Sequence, residues 1–256
     1  MTLNLEIRKE KQNMSKFLTA LQLSDSAFPT GGFAHSLGLE AVMKHKKINN
    51  TDDLLKFAVC SMENAGSFNI PFVKAAYEAV DEPTLPEVID NPKMSHPSQE
   101  SILRLIDLDN TCEACLSNHI ANRASSRQGR SMLDTTYKAT ELHLLGSIQA
   151  LIDENKLEGH HPVMFGYICS VLGVGKQEVI EMYMFGVLRC IVASAVRLSI
   201  IGPLQGQNIQ YKLQQLVPSI LKRNQKRCVE DAVITSPFID VIQAKQDTLF
   251  SKLFYS

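Results

Sequence analysis

The chain has 256 residues, 45% of them hydrophobic and 21% charged, with a net charge of −1. A chain of this length buries roughly 70–75% of its extended surface, enough to hold a core without disulfide or metal. The near-neutral balance argues against a nucleic-acid binder, whose phosphate contacts call for a clear basic excess.

The first stretch, MTLNLEIRKEKQNMSK, lacks the apolar centre of a secretory signal, so residues 1–16 read as an N-terminal extension on a cytosolic chain whose folded domain spans 17–256. Next comes FPTGGFAHSLGLE, residues 28–40. Its paired glycines beside aromatic groups predict a tight turn, and His35 or Ser36 is placed to begin a helix. From Asn50 the spacing of Leu54, Leu55, Ala58, Val59 and Met62 predicts a capped amphipathic helix. Pro83, Pro86, Pro92 and Pro97 make residues 81–98 a surface loop. The gap to Pro162 suits two or three consecutive helices, one carrying the stripe Leu144, Leu145, Ile148, Leu151, Ile152. Pro162 fits the first turn of the next helix. Residues 179–201 are apolar and long enough to cross a bilayer. They contain Glu181, Arg189 and Arg197, each costing about 2.5–3.5 kcal/mol near a membrane centre, so a buried core helix closed by Gly202-Pro203 is the better reading. Val233, Ile234, Phe238, Ile239, Val241 and Ile242 suit one more helix. Together these predict an all-α single domain of about ten helices, with no membrane span and no internal repeat.

Candidate chemistry is thin. Gly173-Val174-Gly175-Lys176 resembles the end of a phosphate loop, but Ser170 and Gln177 stand where glycine and Ser/Thr are required, so it predicts a turn. Cys112, Cys115 and His119 share one face if helical and could hold a soft or borderline metal, though no fourth ligand is apparent. Packed, reduced thiols are the alternative for all six cysteines. Asp25, Ser26, His35 and Ser36 include nucleophile, base and orienter without a nucleophile elbow. Arg189 and Arg197, eight residues apart on an apolar rod, need a buried partner or a protein interface unless they reach solvent. Lys222, Arg223, Lys226 and Arg227 read as a solvated face, with an acidic partner surface as the other possibility.

The 28–40 segment resembles the N-terminal signature of the UreF family of urease accessory proteins, and further blocks follow in order. RASSRQGR (123–130), HPVMFG (161–166), AVRL (195–198) with IGPLQGQ (201–207), and Ser236-Pro237 through Ser256 are similar to that family's motifs. The closing block departs from it: Gln246-Asp247 and Lys252 stand where the family usually carries His-Glu and arginine. Lysine keeps the charge and loses bidentate pairing. The resemblance implies an all-α homodimer without catalytic activity or cofactor. It acts as a scaffold between UreD (also called UreH) and the GTPase UreG during nickel insertion into urease apoprotein. It places Phe33, His35 and Glu40 in a partner-facing loop, Arg197 and Gln207 near a dimer or UreG-facing surface, and Lys252 and Tyr255 in a tail that orders on UreD. The alternatives are a metal-dependent enzyme using Cys112, Cys115 and His119, or a chain that carries nickel itself.

Overall fold

Proline and polar caps decide where the helices of the computed structural model begin. It describes residues 15–45, 47–48, 50–80 and 97–256. The 81–98 loop, apart from its last two residues, and most of the 1–16 extension lie outside the described residues. The described helices are α1 (15–24), α2 (Leu39–Lys44), α3 (Thr51–Asn64), α4 (Ile70–Glu78), α5 (Gln99–Cys115), α6 (His119–Thr140), α7 (His143–Asp153), α8 (His161–Val171), α9 (Lys176–Arg197), α10 (Pro203–Gln214), α11 (Val217–Arg223) and α12 (Pro237–Gln243). A π-turn, Ala65–Asn69, joins α3 to α4 without a break. Among the described residues there is no strand, and the all-α expectation holds.

Asn50 caps α3 by accepting from the Asp53 amide at 2.9 Å, and Pro162 sits in the first turn of α8. The proline-free gap holds three helices, α5 to α7. Two boundaries differ from expectation. The Val233–Ile242 stretch is helical only from Pro237, because Asn64 Oδ1 accepts from the Thr235 and Ser236 amides and fixes the preceding residues as a strap over the π-turn. The long apolar helix ends at Arg197, with Ser199 at φ 57°, and Gly202 instead precedes α10.

The centre is α8. It is apolar on every side and buried from Pro162 to Val171, as expected of a helix with no solvent face. Helices α4 and α6 pack directly on it. The α4 crossing requires Gly166, where a Cβ would lie 2.2 Å from the Val73 carbonyl oxygen. Ahead of α8, Asp109 of α5 is buried and accepts the amides of Glu158 (2.6 Å), Gly159 (3.0 Å) and His160 (2.8 Å). A carboxylate at the entrance to a helix satisfies free N–H groups and complements the helix dipole. Helix α9, which is long and apolar enough to cross a membrane, runs against α3, α4 and α10 and supplies buried residues to the same core.

Candidate functional site

The signature loop opens with Gly31 at φ 73°, followed by a 3₁₀ turn, Gly32–Ala34. The Pro29 carbonyl accepts from Ser131 Oγ and Thr135 Oγ1 of α6, both at 3.0 Å, which anchors the loop to that helix. Leu37 (φ 54°) and Gly38 (φ 86°) then turn the chain into α2. The helix therefore begins at Leu39 rather than at His35 or Ser36. Leucine in the left-handed region is strained, and the loop holds that strain where it meets the tail.

The tail, residues 249–256, lies in this loop. Glu40, only 1% exposed, accepts the Leu253 amide at 2.7 Å through Oε1, and the Phe254 amide at 3.0 Å and Gln246 Nε2 at 2.8 Å through Oε2. The Tyr255 amide donates to the Ala34 carbonyl at 2.8 Å. The Ser36 amide and hydroxyl donate to an oxygen of Ser256 at 2.6 and 2.7 Å. His35 Nδ1 lies 2.8 Å from Ser256 Oγ. Burial, then the charges of Arg127 and Arg123, lower the His35 pKa to about 4, so its imidazole is neutral at physiological pH.

A second layer is charged. Arg123 of α6 grips both oxygens of Asp247 at 3.0 Å, and Lys252 Nζ lies 3.0 Å from the same carboxylate. These two cations, Arg123 first, hold Asp247 well below the usual carboxylate range. The Arg197 guanidinium is sandwiched 3.6 Å from the Phe33 ring centroid and 4.2 Å from that of Phe254, and donates to the Phe33 carbonyl. Arg189 donates to the Ser24 carbonyl at the end of α1. The two arginines of the apolar helix thus find partners inside this chain.

The structure brings together six of the seven residues proposed to meet partners. His35 and Glu40 are buried and face the chain's own tail, whereas Phe33 (71% exposed) and Tyr255 (61%) are open to solvent. Lys252 is exposed and paired with Asp247, while Gln207 is exposed on α10 and makes none of these contacts. Sequence reasoning missed Arg123, Gln246 and Asp247 as parts of one clasp. The displaced closing motif was the available signal, since its members hydrogen-bond or pair with Glu40, Arg123 and Lys252.

The metal and catalytic candidates do not assemble. Helix α5 stops at Cys115 and α6 starts at His119, so the three residues share no helix face. Cys112 is buried with its thiol pushed up by desolvation, Cys115 is exposed, and His119 Nε2 lies 3.7 Å from Asp247. Among the described residues no three His, Cys, Asp or Glu side chains gather as a metal site. Ser26 Oγ contacts Asp25 at 3.5 Å while His35 and Ser36 bind Ser256, so the four do not form a triad. Gly173 to Gly175 lie in the α8–α9 turn, and Lys176 begins α9. The basic run is partly used internally, Arg223 pairing with Glu63 and Arg227 with Asn224.

Beside the clasp, a cavity of about 290 Å³ lies between the signature loop and α9, lined by His35, His161, Tyr183, Cys190, Arg189 and Arg197. His161 packs between Phe165 and Tyr183, with ring centroids 5.7 and 5.2 Å away. Desolvation lowers its pKa to about 4, and burial raises the Cys190 thiol to about 11. The wall is therefore uncharged except for the arginines.

The UreF family model matches residues 48–214. The chain belongs to the UreF family. It is 33% identical to "Urease accessory protein F" of rice, Oryza sativa subsp. indica, over 94% of this chain and 86% of that protein. It is 31% identical to the protein of the same name from Arabidopsis thaliana over 92% of this chain and 90% of the relative. "Urease accessory protein UreF" of Bacillus sp. strain TB-90 is 27% identical over 95% and 100%. Membership in the UreF family places the chain in urease maturation.

Proposed function

We propose that this chain is a non-catalytic, cytosolic and homodimeric scaffold that joins UreD (UreH) and the GTPase UreG to urease apoprotein for GTP-dependent nickel insertion. The observation that carries the reading is the clasped tail. Hydrogen bonds to Glu40 hold a short segment whose side chains Phe250, Leu253 and Tyr255 remain exposed, as does Phe33 of the signature loop. Exposed aromatic and apolar residues clustered on a fixed backbone mark a protein interface. Arg127, whose guanidinium lies 5.5 Å from the Tyr255 ring centroid, and Lys252 give the patch a basic rim. A partner face with an apolar centre and acidic edge complements it. This surface is assigned to UreD, and the exposed α10 face carrying Gln207 to the dimer or UreG.

The test is a pull-down with the UreD and UreG proteins of the same organism, followed by nickel-dependent urease activation with and without this chain. Co-purification and chain-dependent activation are expected, with no GTPase or hydrolase activity from the chain alone. UreD binding that survives both Lys252→Ala and deletion of the residues after Asp247 refutes the tail assignment.

A further inference from the structure

We propose that Glu40 is a positioning residue that decides whether the partner-docking face exists, by gripping the tail through its backbone rather than its side chains. The inference rests on the scaffold reading above and specifies how its tail surface is controlled.

Among the described residues, Glu40 has no cation among its hydrogen-bond partners. Its two oxygens are taken by the Leu253 and Phe254 amides and by Gln246 Nε2. A buried carboxylate without an ion pair is costly to keep unless every lone pair is used. Displacing the tail removes two of the three donors at once and leaves Glu40 with Gln246 alone. The grip also reads no tail side chain: Leu253 is gripped only through its N–H, and its side chain stays outside. Gln246 is fully buried, and its Nε2 bridges Glu40 Oε2 and the Phe254 carbonyl at 3.1 Å. Its Oε1 has no partner among the described residues. The amide is therefore oriented by Glu40, and Glu40 orders both the segment before the tail and the tail itself. Phe33 and Tyr255 come into one surface only when the tail is down, because the Tyr255 amide reaches Ala34, next to Phe33, only then.

Glu40→Gln keeps the shape but puts an NH₂ where one amide needs an acceptor. Leu253→Pro removes one tail donor without touching α2. Hydrogen exchange followed by mass spectrometry on the full chain reads the seat directly. Both variants are expected to speed exchange across 250–256 by roughly 10–100-fold, as for the loss of hydrogen bonds to a charged acceptor, with α8 unchanged. Both are expected to weaken UreD binding by a similar factor, whereas Tyr255→Ala weakens binding with tail exchange unchanged. Unchanged tail exchange in Glu40→Gln overturns the proposal. So does accelerated tail exchange with UreD affinity intact. If the unmodified chain binds neither UreD nor UreG, the scaffold reading fails, and the exchange result by itself still decides whether Glu40 seats the tail.

Discussion

Asp109→Asn is the most direct test of how the core is organised. The substitution is isosteric and alters only the charge and one acceptor. Asp109 Oδ2 takes the Glu158 and Gly159 amides, and Oδ1 takes the His160 amide. An asparagine with its oxygen at the Oδ2 position keeps two of these bonds, now to a neutral acceptor, and points its NH₂ at the His160 N–H. The opposite rotamer loses two. At best, one buried donor is left facing a donor, at about 1–3 kcal/mol, and two charge-assisted bonds weaken by up to about 1 kcal/mol each. The sum is about 1–5 kcal/mol. At roughly 2–4 °C per kcal/mol for a chain near this size, the expected fall in Tm is about 2–20 °C. Circular dichroism melts of the two proteins at one concentration measure it. A fall below about 2 °C refutes the claim that Asp109 orders the entrance to α8.

Three further outcomes follow from the same geometry. His35 and His161 have folded pKa values of about 4 against 6.5 for a free imidazole. The unfolded chain therefore binds more protons between those values, and stability is full above about pH 6.5 and falls as pH drops toward 4. Urea midpoints at pH 7.5, 6.0 and 5.0 should decline in that order, and less steeply in His161→Phe; a flat series contradicts the reading. Gly166→Ala drives a methyl into the Val73 carbonyl at 2.2 Å, so despite a helix-propensity gain of about 1 kcal/mol it should lower Tm by several degrees; an unchanged or raised Tm shows that α4 and α8 can separate freely. Asp247→Ala breaks pairs with two partly exposed cations, so its stability effect should stay below about 1 kcal/mol, while UreD capture drops markedly; the reverse ordering of effects would make the clasp structural only.

Periodicity and caps alone made most of the helices legible: Asn50, Pro162 and the stripe from Leu144 to Ile152 all lie where local rules put them. Local rules failed where a distant group took over. Val233 and Ile234 have the composition of a helix but are held as a strap, since Asn64 is 171 residues from Thr235 in sequence and 2.6 Å from its amide in space. Cys112, Cys115 and His119 had helical spacing, and the break at residues 116–118 separated them.

The sequence by itself determined an all-α chain of the UreF family, because hydrophobic spacing, proline placement and ordered motifs are local properties of the polymer. It also marked the signature loop and the altered closing block as separate special segments. That these two are one site was decided only by the tertiary fold. Glu40 meets Leu253 across 213 residues, and Arg123 meets Asp247 across 124. Pairings of that range come from how α6 and α9 pack on α8 and how α2 packs on α9 and α12, and no local pattern encodes them. The same packing turned Arg189 and Arg197 from unexplained charges on an apolar helix into ties that hold α1 and the signature loop in place.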